Sequence, residues 1–239
     1  MQTAGQTVLI TGGASGIGLA LARKFHAAGN RVIVAGRSED RLTAAAAALL
    51  GLKTCAADIS LAEDRERLAR TFGDVSVLVN NAGIQVIAPF LETTPAQIEH
   101  EFAVNLLAPV LLPRAFLPGL LTRPAAAVVN VSSGLALVPK QTASVYCASK
   151  AGLHSFSKTL RWQLEGTSVR VFDVLPSVVD TAMTAGRGRA KISPERLAEE
   201  FWKGFSNDRF EMRIGLVKLF AQLHRIAPSL VERLIRPGR

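Results

Sequence analysis

Residues 7–29 read TVLITGGASGIGLALARKFHAAG. The apolar run 7–10 has the length and β-branched character of a buried strand. A glycine-rich turn follows, and then LALARKFHAAG carries apolar residues at helical spacing. Strand, tight turn and helix in this order make a βα unit. Gly12, Gly16 and Gly18 let the backbone turn sharply and approach a pyrophosphate, while the start of the helix offers unpaired N–H groups and a positive dipole end. The spacing is G-x-x-x-G-x-G, not the more familiar G-x-G-x-x-G, and glycines at such a turn can also be purely structural.

The same alternation continues outward. Short runs rich in Val, Ile and Leu predict strands at 31–35, 53–57, 75–79, 127–131, 169–174 and 210–214, and amphipathic stretches predict helices at 17–28, 39–50, 61–71, 95–117, 145–164 and 194–205. This is an α/β pattern. It predicts one doubly wound, Rossmann-like domain over 1–239, with a seven-stranded, mostly parallel sheet covered by helices on both faces. No linker or internal repeat interrupts it. The segment around TAMTAGRGRAK has little periodicity and reads as an active-site lid over about 182–193.

With 239 residues the chain needs neither disulfides nor a structural metal to bury a core. Its two cysteines, Cys55 and Cys147, lack C-x-x-C spacing, and the four histidines form no pair at metal-ligand spacing, so no metal site is expected. The first residues have neither the charged nor the long apolar region of a signal peptide, and the longest apolar stretch, 103–121, is broken by Asn105, Arg114 and three prolines. A soluble cytoplasmic protein is expected. Of the nine excess positive charges, five fall after residue 211, so the basic balance does not point to a nucleic-acid partner; no aromatic stacking platform accompanies it.

Cofactor and chemistry can be read from three further places. An enzyme that uses NAD ends its second strand with an acid for the ribose 2′-OH, but here VIVAGRSEDRL puts Gly36 and Arg37 there. A guanidinium suits a 2′-phosphate, which favours NADP(H) and leaves NAD(H) possible; Arg37 could instead be a solvated charge. Tyr146, the only tyrosine, precedes Lys150 by four residues in SVYCASKAGLHSF, so the two share a helix face. An adjacent ammonium is expected to lower the phenol toward neutrality, as a general acid/base requires. Ser133 ends AAVVNVSS at the carboxyl edge, where α/β sheets bind ligands.

TGGASGIG, VNNAG at 79–83, Asn105 in VNLLAP, Ser133, and Tyr146 with Lys150 together resemble the short-chain dehydrogenase/reductase family in order and spacing, over nearly all of the chain up to Thr181. The resemblance implies a catalytic tetrad. Tyr146 gives a proton to a carbonyl, Ser133 holds that oxygen, Lys150 lowers the phenol and binds the nicotinamide ribose, and Asn105 positions a water in a proton relay. It also places Gly12, Ser15, Gly16, Ile17 and Gly18 at the cofactor, Asp58 at the adenine with Ile59 beside it, Asn80, Ala82 and Gly83 along the adenosine half, and Val179 and Thr181 at the nicotinamide carboxamide. Pro176-Ser177 replaces the family's usual Pro-Gly. The expected substrate is a small carbonyl compound or its alcohol. Ser177, Gln85, Leu135 and Gln141 are expected around its mouth.

Two expectations concern partners. The helices predicted at 95–117 and 145–164 have broad apolar faces, and in the resembling family such helices pair, which predicts a homodimer or homotetramer. The tail at about 215–239 is a basic amphipathic segment, with Leu216, Leu219, Phe220, Leu223 and Ala227 on one helical face, that could lie on an anionic membrane, close the substrate pocket or pack on a second subunit through that face. The last two are favoured over membrane association because the tail directly follows the seventh strand.

Overall fold

The computed structural model describes residues 1–187 and 190–236. The predicted strands form β1 (Thr7–Thr11), β2 (Arg31–Gly36), β3 (Lys53–Ala56), β4 (Val77–Asn80), β5 (Ala126–Val131), β6 (Val169–Pro176) and β7 (Glu211–Ile214). All pair in parallel, in the order β3-β2-β1-β4-β5-β6-β7. Within each strand successive side chains go to opposite faces. Val8 and Ile10 join Val32, Val34, Val77 and Val79 on one face, and Leu9, Ile33 and Leu78 take the other.

Helices cover both faces. On the first, α1 (Gly16–Ala27) and α7 (Pro194–Ser206) pack together, and α2 (Glu39–Ala48) contributes Leu42. Phe25 lies 5.9 Å from Phe201 and 5.5 Å from Phe205 by ring centroids, which locks α1 to α7. On the second face lie α3 (Ala62–Thr71), α5 (Ala108–Leu121) and α6 (Ser144–Gln163).

The helix predicted over 95–117 is three segments. α4 (Pro95–Phe102) passes through a π turn at Ala103–Leu107 into α5. Pro109 has no N–H and so cannot give the Asn105 carbonyl its α-helical hydrogen bond; the wider turn absorbs that defect. The tail forms two helices, α8 (Val217–Ile226) and α9 (Pro228–Ile235), separated where Pro228 starts the second. Val217, Ala221 and Val231 are buried, whereas Leu219 and Leu223, expected on the packed face, are 51% and 37% exposed. The packed face is therefore rotated from the one predicted. Gly188 and Arg189 of the expected lid lie outside the described residues. Around them Ala182–Thr184 forms a 3-10 turn, and Val179 pairs with Ile192.

Asp173, on β6, is almost fully buried. It accepts the Ser132 hydroxyl at 2.5 Å and the His154 Nδ1 at 2.5 Å. The hydrogen bond to this carboxylate raises the His154 pKa against the opposing effect of its own burial. A raised folded pKa means the charged pair adds its full stability below the unfolded histidine value, about 6.5, and loses it as pH climbs through the folded value. The melting-temperature deficit of His154→Gln relative to the parent protein should therefore be larger at pH 6 than at pH 9. An equal deficit at both pH values would show that the imidazolium contributes nothing.

Candidate active site

In the sheet β1 and β4 are neighbours, but their chains leave in opposite directions, so their carboxyl ends open a crevice at a topological switch point. A cavity of about 310 Å³ fills it, lined by Gly12, Ser15, Gly16 and Ile17 of the first turn, Arg37, Asp58 and Ile59 from the β2 and β3 ends, and Ala82, Gly83 and Thr181. The cradle is made of backbone. Gly12 has φ +63°, and a Cβ there would meet the Ala82 Cα at 2.9 Å. The start of α1 has no side-chain cap and no acid in its first turn, which leaves its N–H groups and dipole facing the crevice. These features fit the pyrophosphate of a dinucleotide.

Two residues expected at the cofactor face elsewhere. Gly18 does not line the crevice; it sits behind the turn, where a Cβ would lie 2.3 Å from the Gly12 carbonyl oxygen. Its lack of a side chain lets α1 close on the loop. Asn80 is also turned away. It is 2% exposed, and its amide donates to Asn130 Oδ1 at 2.8 Å and to the Pro109 carbonyl at 3.2 Å. Pro113 cannot supply the helical N–H for that carbonyl, so the asparagine does. Asn81, one residue on and past the strand end, lines the crevice instead and donates to the Thr11 and Gly12 carbonyls.

Arg41 was also missed by the sequence reading. It lines the crevice beside Arg37, brought there by the first turn of α2, which Ser38 caps. The signal was present, four residues after Arg37, but only the turn direction shows that both guanidinium groups reach one wall. The Arg37 guanidinium stands 3.7 Å from Asp58. Partial burial works to raise the Asp58 pKa, yet hydrogen bonds from Ser60 and the charge of Arg37 hold it below the usual carboxylate value.

A second cavity, about 480 Å³, shares Ile17, Asn81, Gly83 and Thr181 with the first and extends toward the tail. Ser133, Tyr146 and Lys150 converge on it, with Val179, Ser177, Gln85 and Leu135. Gln141 does not line it; its N–H is tied to the Arg236 carbonyl. The Ser133 hydroxyl works to lower the pKa of the phenol. Lys150 does not lower it. Burial pushes Tyr146 up to about 12 and Lys150 down to about 8, and the ammonium donates to the Val131 carbonyl at 2.9 Å while standing 5.8 Å from the tyrosine ring centroid. In the protein alone, desolvation outweighs the attraction expected from the shared helix face.

Asn105 is fully buried in the π turn and lines neither cavity. Its Oδ1 accepts the Ile84 N–H at 2.9 Å and its Nδ2 donates to the Ile84 carbonyl at 2.8 Å. The side chain thus pins the loop after β4 instead of reaching the phenol. Glu101, which the sequence did not single out, does the same one turn earlier by accepting the Val86 N–H. Burial raises its pKa.

The model of the short chain dehydrogenases matches residues 6–191 of this chain. A Bacillus subtilis (strain 168) protein named Uncharacterized oxidoreductase DltE is 41% identical over 225 residues, 89% of this chain and 89% of that protein. L-xylulose reductase of Bos taurus is 35% identical over 184 residues, covering 77% and 75%. The structure of a short chain dehydrogenase from Burkholderia cenocepacia J2315 in complex with NADP is 28% identical and superposes with a TM-score of 0.90, covering 99% of this chain and 100% of that one. With the parallel sheet, the glycine cradle and the Ser133, Tyr146 and Lys150 cluster, these similarities establish that the chain belongs to the short-chain dehydrogenase/reductase family of oxidoreductases acting on alcohol and carbonyl groups.

Proposed function

We propose that the protein is an NADP-preferring oxidoreductase that interconverts a ketone or aldehyde and its alcohol, with Tyr146 as general acid/base. The observation that carries this reading is the convergence of Ser133, Tyr146 and Lys150 on the second cavity, which shares lining residues with the crevice. A nicotinamide cofactor, when bound, supplies or accepts the hydride. The chain's own residues handle the oxygen and its proton. Ser133 holds the carbonyl oxygen, and Tyr146, kept protonated by burial at neutral pH, donates to it as negative charge develops. Lys150, at about 8, is mostly an ammonium at pH 7 and binds a ribose hydroxyl. Asn105 holds the loop that walls the site.

The NADP preference rests on Arg37 and Arg41 and on the lack of an acid where β2 ends at Gly36. Each charge-assisted hydrogen bond to a 2′-phosphate is worth about 1.5–3 kcal/mol, roughly 10–100-fold. In Arg37→Ala the Kd for NADPH should rise by that factor while the Kd for NADH moves less than about threefold. Titration of cofactor fluorescence measures both. Equal weakening of the two cofactors, or tighter NADH binding by the parent protein, would refute the preference. The expected homo-oligomer is supported by Leu107 and Trp162, large apolar side chains 53% and 55% exposed along the helical segments expected to pair.

A further inference from the structure

Ser133, Tyr146 and Lys150 line the second cavity together with the neutral polar Gln85, Ser177 and Thr184. Much of the rest of its lining is apolar, including Leu135 and Val138 and, from α8, Val217, Phe220 and Ala221. Val217 packs close to the residue after Ser133: a Cβ on Gly134 would lie 2.5 Å from it. Ile87, Val178 and Met183 line the cavity while remaining 37%, 40% and 38% exposed, so the rim too is apolar. The tail, read from sequence as a basic amphipathic segment, is thus a wall of this pocket.

The charges among the described lining residues are all positive. Besides the buried Lys150 they are Lys140 and Arg187, both half-buried, and no Asp or Glu lines the cavity. Neither Lys140 nor Arg187 forms an ion pair among the described residues. Two cations facing a partly apolar cavity with no acid to neutralise them raise the local concentration of anions and repel cations. The apolar walls meanwhile reward each buried methylene by about fourfold in binding.

We propose that the natural substrate is an extended apolar ketone, or the matching secondary alcohol, bearing an anionic group at the end remote from the carbonyl. This rests on the carbonyl–alcohol activity proposed above. The carbonyl lies at Tyr146, the hydrocarbon runs between Leu135 and Phe220, and the anion meets Lys140 and Arg187. Phe220 then sets specificity for length and bulk, and the two cations set specificity for charge.

The test compares steady-state reduction by the full chain, with NADPH and separately with NADH, of hydroxyacetone, 2-butanone, 2-decanone, 9-oxodecanoate and 10-amino-2-decanone. The expected kcat/KM rises about 30-fold or more from 2-butanone to 2-decanone. 9-Oxodecanoate should exceed the amino ketone at least tenfold at low ionic strength, and the gap should shrink as salt is added. In the Lys140→Ala/Arg187→Ala double variant the ratio of 9-oxodecanoate to 2-decanone should fall about tenfold. Phe220→Ala should lower kcat/KM for 2-decanone more than for 2-butanone. If the small or cationic ketones are reduced as well as 9-oxodecanoate, or the double variant keeps the parent ratio, the substrate class is wrong although the carbonyl reductase reading stands. If no ketone is reduced with either cofactor while cofactor binding is intact, the activity and this substrate class fall together.

Discussion

Tyr146→Phe is expected to lower carbonyl reduction by at least about 10²–10⁴-fold, the range lost with a positioned general acid, while NADPH binds nearly as it does to the parent protein. The substitution removes one hydroxyl from a ring held among buried neighbours, so the fold has no reason to change. It removes the only phenol in the chain, and no second tyrosine can replace it. Ser133 Oγ accepts the Leu135 N–H at 3.1 Å, and among the described residues no carboxylate or imidazole hydrogen-bonds to it, so it cannot take over as the acid. Rapid turnover by the variant, measured as NADPH consumption with a ketone the parent reduces, would remove Tyr146 from the mechanism. In the protein alone burial puts the phenol at about 12, so Tyr146 carries its proton at neutral pH.

Gly18→Ala should be the most damaging single methyl addition at the cofactor turn. On an open helix face the change would gain up to about 1 kcal/mol. Here the new Cβ would lie 2.3 Å from the Gly12 carbonyl oxygen, 2.5 Å from Asn81 Nδ2 and 2.8 Å from the Gly13 Cα. Two of those three contacts are backbone, so relief requires α1 or the loop to move. Overpacking of this kind costs about 1–3 kcal/mol and here exceeds the helical gain. A net loss of about 2 kcal/mol would lower the melting temperature by roughly 4–8 °C in a chain of this size. Cofactor affinity should fall at least tenfold as well, because Gly12 lines the crevice and its carbonyl accepts the Asn81 amide at 3.1 Å. Calorimetry and NADPH titration read the two effects separately. A variant with the parent's melting temperature and affinity would mean that the turn is not packed as described.

The strands and most helices were legible because each reports a local periodicity. Val8, Leu9 and Ile10 alternate between faces whatever lies across from them, and 3.6-residue spacing marks α1 and α6 in the same way. The glycine turn and the Tyr146/Lys150 pair were legible for a related reason: both depend on residues a few positions apart. Where the reading failed, the deciding partner was distant. Asn80 and Asn81 are the same residue type side by side, and which one faces the crevice depends on where β4 ends and on an unsatisfied carbonyl at Pro109. Asp173 meets Ser132 across 41 residues and His154 across 19, partners that no local spacing announces. The direction of the Tyr146 shift was misread because helical spacing reveals a neighbouring charge but not how far both groups are withdrawn from water.

By itself, then, the sequence determined the parallel α/β architecture, the position of the glycine turn and the shared helix face of Tyr146 and Lys150, because short-range spacing sets backbone conformation and which face a side chain takes. Only the tertiary structure decided that Asn105 and Glu101 act on the loop after β4, that Arg41 joins Arg37, and that the tail walls the second cavity with Phe220. Those arrangements depend on how helices and loops pack over the carboxyl edge of the sheet, where burial and contacts between residues far apart in the chain set both the shape of the site and its charges.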